Sequence, residues 1–169
     1  STGSTTYIAD NMYPSSNIPE VVVIGLFKVA SMNGDYSKSP LEMTNMKVST
    51  IGLYVNSVPT PQRPYEMKFD QNQAMDGYMS LFNQFNLFAG DKGNALSYNA
   101  YINNYTCYAF SLSNSASGNS GTTNPMERNG VVKIEINFAT ATTEALYMVV
   151  MSKTPSVVLM DKARQLTID

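Results

Sequence analysis

The chain has 169 residues, of which 43% are hydrophobic and only 14% charged, with a formal net charge of −2. That is enough chain for one sizeable core over residues 1–169, and no apolar run approaches the roughly 18–20 residues of a membrane helix, so no membrane insertion is expected. The charged fraction is well below the roughly 25% of an average domain, and Lys28, Lys38, Lys47, Arg63 and Lys68 do not cluster, which argues against electrostatic capture of nucleic acid.

In chain order, residues 5–13 (TTYIADNMY) form a short strand candidate closed by Pro14 and the turn-rich Ser15, Ser16 and Asn17. Glu20 to Ala30 is a strong strand candidate, β-branched and apolar on both faces at Val21 to Ile24, and Asn33-Gly34-Asp35 signals a turn. Between Leu41 and Asn56 the apolar alternation runs Met46, Val48, then Ile51, Leu53, Val55. Its phase slips by one after Val48, which predicts a β-bulge or a bend. Pro59, Pro61 and Pro64 restrict the chain to an edge or an extended crossing before Tyr65, Met67 and Phe69 alternate again.

Met75, Tyr78, Met79, Phe82 and Phe85 recur at three- and four-residue steps, which predicts one helix around residues 72–88. Asp70 or Asn72 is positioned to cap its start and Gly90 to stop it. Gly90 to Asn104 reads as loop, Tyr105 to Leu112 as strand, and Ser113 to Asn129 as a long polar loop. Val132, Ile134, Ile136 and Phe138 then alternate with polar residues, the period of a strand with one face buried. Leu146 to Met151 is apolar on both faces, as in a strand covered by the sandwich or by a partner, and Val157 to Met160 follows Pro155. About eight strand segments with one inserted helix predict an all-β protein, an eight-stranded antiparallel jelly-roll sandwich.

The search for chemistry is largely negative. Without a histidine there is no Ser-His-Asp or Cys-His arrangement and no usual zinc site, and one cysteine makes no internal disulfide. Cys107 therefore reads as an inert buried thiol. The thirteen carboxylates are scattered from Asp10 to Asp169, which favours surface and cap roles over a glycosidase pair. Asn33-Gly34-Asp35 and Gly90-Asp91-Lys92-Gly93-Asn94 offer oxygen ligands without the spacing of a calcium loop, and turn chemistry explains both. Asn104-Tyr105-Thr106 is a glycosylation sequon, but no signal-peptide pattern accompanies it. The eleven tyrosines suit half-buried strands and protein interfaces better than sugar stacking. No catalytic, cofactor-binding or metal-ligating residue is expected.

Several phrases in order carry a resemblance: Val22 to Phe27 with Met32 to Pro40, then Ile51 to Asn56, Tyr78 to Phe82, Asn104 to Leu112, and the closing Leu159 to Arg164. The series resembles the C-terminal part of the major capsid proteins of Polinton/Maverick elements and related adintoviruses, over about Tyr7 to Asp169. Each motif alone is weak, and order and spacing make the case. Leu41 departs from the aromatic expected there. The resemblance implies two jelly rolls per polypeptide, three copies forming a pseudo-hexagonal capsomer, and this chain as the second jelly roll. It implies self-association and contact with other capsid proteins, location in the virion, and no catalytic residues or cofactors. The alternative is a trimeric jelly-roll binding module such as a lectin, fibre head or TNF-like ligand.

Overall fold

The computed structural model describes residues 3–13, 17–35, 37, 39–84, 93, 95–112, 129–154, 158–160 and 166–168. The fold is mostly antiparallel β-sheet, two sheets facing each other across one core. The first sheet holds β1 (Thr6–Ala9), β7 (Val132–Phe138), β3 (Val48–Val55) and β4 (Val58–Pro59) in that order, with β5 (Tyr65–Glu66) also on β3. The second runs β6 (Cys107–Ser111), β2 (Val21–Lys28), β8 (Leu146–Lys153). Among the described residues β9 (Val158–Met160) and β10 (Leu166–Ile168) pair with each other and with no other strand. The helices are α1 (Val29–Met32), α2 (Met75–Gln84) and α3 (Tyr98–Asn104).

The described residues thus hold ten strand segments rather than eight: β5 and β9 fall where the sequence expects strand, β5 being cut short at Glu66, while β4 and β10 are short pieces with little periodicity to read. Alternation decides the rest. On β7, Val132, Ile134 and Ile136 are fully buried while Lys133, Glu135 and Asn137 are half-exposed, so one face meets the core. β2 is buried on both faces, as its continuous apolar run requires. β3 begins at Val48 rather than near Leu41, since Met46 and Lys47 take positive φ in a turn that Asn45 closes by accepting from the Lys47 amide. Its ladder to β7 shifts register between Val48 and Thr50, where the hydrophobic phase slips.

The helical layer differs most from the sequence reading. α2 spans Met75–Gln84, and residues 85–92 lie outside the described residues. Neither Asp70 nor Asn72 caps it. Asn72 sits in the left-handed region at the end of a 3-10 turn, Phe69–Gln71. The Tyr98 hydroxyl does the capping from a distance, accepting from the Ala74 amide at 2.8 Å and donating to the Asn72 carbonyl at 2.6 Å. α3 replaces part of the expected loop at Gly90–Asn104, started by Ser97, whose Oγ accepts from the Ala100 amide.

The buried stripe of α2 is also rotated. It is Ala74, Gly77, Ser80 and Leu81, whereas Met75 is exposed and Tyr78 and Phe82 are half-buried. Small residues face the sheet because the helix lies close to it. A Cβ at Gly77 would run into the Tyr101 hydroxyl and sit 3.2 Å from Met67 Sδ and 3.3 Å from Tyr108 Cδ1. Alanine is the better helix former by about 1 kcal/mol, but overpacking a dense core costs about 1–3 kcal/mol. Gly77→Ala is therefore expected to lower the urea midpoint, and a raised midpoint would contradict this packing.

Candidate interaction surface

The residues that could bear chemistry stand apart from one another. Among the described residues no group of three or more Cys, Asp or Glu could hold a metal ion. Asp35 accepts from the amide and hydroxyl of Ser37, a closed turn, while Gly90, Asp91, Lys92 and Asn94 lie outside the described residues. Thr106 of the sequon is fully buried and donates to the Tyr101 carbonyl. The exposed Tyr7, Tyr105 and Tyr147 sit on β1, at the end of α3 and on β8, while Tyr101 and Tyr108 are core residues.

Glu66 and Asp76 come nearest to a carboxylate pair, since both reach the Arg63 guanidinium at 3.6 Å. They border a depression of about 550 Å³ together with Lys47, Lys68 and Asp70. Lys47 pairs with Asp70 at 3.2 Å. Opposite charges thus meet inside the depression, and these exposed pairs contribute little to stability. No helix among the described residues is long and apolar enough to cross a membrane.

The margins of the sheets are where the side chains are organised. β6 lies at the edge of its sheet, and alternation turns the backbone groups of Cys107, Ala109 and Ser111 away from β2. Three hydroxyls meet those of Cys107 and Ala109. Tyr101 donates to the Cys107 carbonyl at 3.0 Å, Tyr65 donates to the Ala109 carbonyl at 3.0 Å, and Ser80 accepts from the Ala109 amide at 3.1 Å. Ser80 itself donates to the Gly77 carbonyl. Tyr65 stacks on Phe110 at 4.8 Å, which holds its ring against the strand. The sequence shows each hydroxyl but not their convergence on one strand.

Burial sets the ionisation of this margin. It raises the Tyr65 hydroxyl to about 12 and the Cys107 thiol to about 11, and pushes Tyr101 and Tyr108 well above the ordinary tyrosine range. Cys107 is therefore a neutral thiol at physiological pH, as the sequence predicts.

The free side of β3 is closed in another way. β5 and β4 pair with its two ends, and the Leu53 carbonyl accepts from the Thr60 amide between them. Pro59, Pro61 and Pro64 remove donors from the resulting outer rim. β1 is an edge of only four residues.

β8 has none of these devices. It pairs with β2 over eight residues, and no described strand lies on its other side. The Lys153 and Ala145 carbonyls accept from Glu20 and Val29, on the side of β2. Alternation then turns the amides and carbonyls of Leu146, Met148, Val150 and Ser152 outward. A mixed slot of about 80 Å³, lined by Ser4, Tyr7, Leu26, Ile136, Phe138, Thr142, Leu146 and Met148, runs beside that edge. On the outward face Met151 is 69% and Tyr147 47% exposed, with Val149 between them. The cover that the two-sided apolar pattern predicts for this strand is not supplied by the described residues. No protein-family model, curated protein or solved structure matches this chain.

The margin of β6 has a pH signature. Folding raises the Tyr65 pKa from 10.0 to about 12 and the Cys107 pKa from 9.0 to about 11. A raised folded pKa gives stability that is complete below the unfolded value and lost as pH climbs through the folded one. Stability is therefore expected to fall between pH 9 and 12, with about 2–3 kcal/mol of the loss from Tyr65. Tyr65→Phe should lower stability at pH 7 by about 1–3 kcal/mol, by stranding the Ala109 carbonyl, and should flatten the decline above pH 10. Urea midpoints at pH 7 and pH 11 check both, and an unchanged alkaline slope in the variant would contradict the assignment.

Proposed function

We propose that this chain is a structural protein: a jelly-roll domain that assembles with copies of itself into a viral or virus-derived capsid of the kind its sequence resembles. The observation that carries the reading is β8. A strand of eight residues with an apolar outward face and an unpaired edge is the form of surface that another protein covers. A surface poor in charge suits the same use, because charged residues are depleted at the centres of protein interfaces.

The finer topology is part of the proposal. β2 pairs with β8 in one sheet and β3 with β7 in the other, so the two pairs are nested in sequence and lie in opposite sheets. A rolled-up long hairpin, which is how a jelly roll is formed, produces that nesting. The resemblance supplies the rest: a second jelly roll of a longer polypeptide, three copies around a threefold axis, pseudo-hexagonal capsomers, and a place in the virion beside other capsid proteins. Shape and buried apolar contacts do the work, without catalysis or sequence-specific binding of nucleic acid.

Native mass measurement and negative-stain imaging of the protein expressed from its natural reading frame test this reading. Three-copy particles with a pseudo-hexagonal outline are expected. Particles of a single copy at every concentration would contradict it, and discrete trimers that bind on a glycan array without forming larger assemblies would replace it with the lectin alternative.

A further inference from the structure

The geometry points to β8 as a twofold contact: it pairs antiparallel with β8 of a second copy, joining two three-stranded sheets into one continuous sheet. This goes beyond the capsomer reading, because a twofold contact is separate from a threefold one and either can fail without the other.

The described sheet edges differ in how they are closed. Hydroxyls from three other segments close β6, short pieces and prolines close β3, and β1 is four residues long. Among the described strands β8 alone combines length, continuous register and an uncharged run, Leu146 to Ser152, with neither a proline nor a bulge. Its outward backbone groups are those of Leu146, Met148, Val150 and Ser152, so a partner strand must offer groups at the same two-residue spacing. A second β8 does so.

The charges flanking β8 are also self-complementary. Lys153 stands at one end of the run and Glu144 just before the other. Each already belongs to an intramolecular pair, Lys153 with Glu20 at 3.1 Å and Lys28 with Glu144 at 3.2 Å. Antiparallel pairing centred on Val149 matches all seven uncharged residues with one another and carries Lys153 of each copy to the Glu144 end of the other. Parallel pairing would set like charges side by side. In the centred register Met148 meets Val150 across the axis through backbone hydrogen bonds, and Tyr147 meets Met151 on the outward face, a favourable sulfur–aromatic pair. The two outward bands, exposed Tyr147 and Met151 with half-buried Val149 between them, merge into one apolar strip.

This register puts Val149 opposite itself in a non-hydrogen-bonded pair, where Cα atoms lie about 4.5 Å apart, within the range of a disulfide. The test is oxidative cross-linking of the full chain. Val149→Cys is expected to give a covalent dimer, whereas Tyr147→Cys and Met151→Cys alone are not, because each faces the other residue. Mixing those two variants should restore the cross-link, and the parent chain, whose Cys107 is half-buried, is the control. Val149→Lys sets two ammonium groups against each other at the axis and should keep its circular dichroism spectrum while losing the dimer in sedimentation. No cross-link from Val149→Cys, equal cross-linking from all three single variants, or a folded Val149→Lys chain of unchanged size would each overturn the contact.

Discussion

The Tyr65, Tyr101 and Ser80 side chains converge on the backbone of Cys107 and Ala109, and the arrangement of the protein depends on that convergence. An edge strand carries donors and acceptors that water satisfies only if water reaches them. β6 is too buried for that, since Tyr108, Ala109 and Phe110 are fully enclosed. Its margin is completed by side chains instead. α2 must then approach closely enough for Ser80 to reach the strand, which requires glycine at position 77 and places Tyr101 of α3 beside it. The helical layer exists in this form because one sheet edge has to be closed.

Strand periodicity was the legible part of the sequence. The alternation in Val132–Phe138 and the two-sided run in Val21–Lys28 reappear as burial patterns, and the slip after Val48 reappears as a register shift. Those signals are read correctly because alternation is a local property of the backbone. The helices were read less well. Large apolar side chains suggested a buried stripe at Met75, Tyr78 and Phe82, but close packing favoured Ala74, Gly77 and Ser80. α3 carries few large aliphatics, and its start signal, Ser97, is a single residue. The long-range pairing of Tyr65 with Ala109, or of Ser80 with the same residue, has no local signature at all. For β8 the apolar pattern foresaw cover on two sides, and its outward face is exposed in the single chain.

Functionally, the ionisable groups are arranged as surface pairs and turn locks, and the buried ones are hydroxyls and a thiol that burial keeps neutral. The contrast between the closed edges and β8 is the feature that asks for an explanation in terms of use. The proposed capsid role would supply one: the neighbours of such a domain are copies of itself, and an edge without protection is hazardous only when it meets the wrong chain. Low charge content, the apolar strip and the nested strand pairing all fit the proposed assembly.

Amide hydrogen exchange at increasing protein concentration tests that account most directly. The amides of Tyr108, Ala109 and Phe110 should be protected at every concentration, because β2 and the Ser80 hydroxyl accept from them within the chain. The amides of Leu146, Met148, Val150 and Ser152 should exchange fast in dilute solution and become protected as chains associate. Exchange of those four amides that stays the same from dilute to concentrated solution would contradict the claim that β8 is completed by another copy.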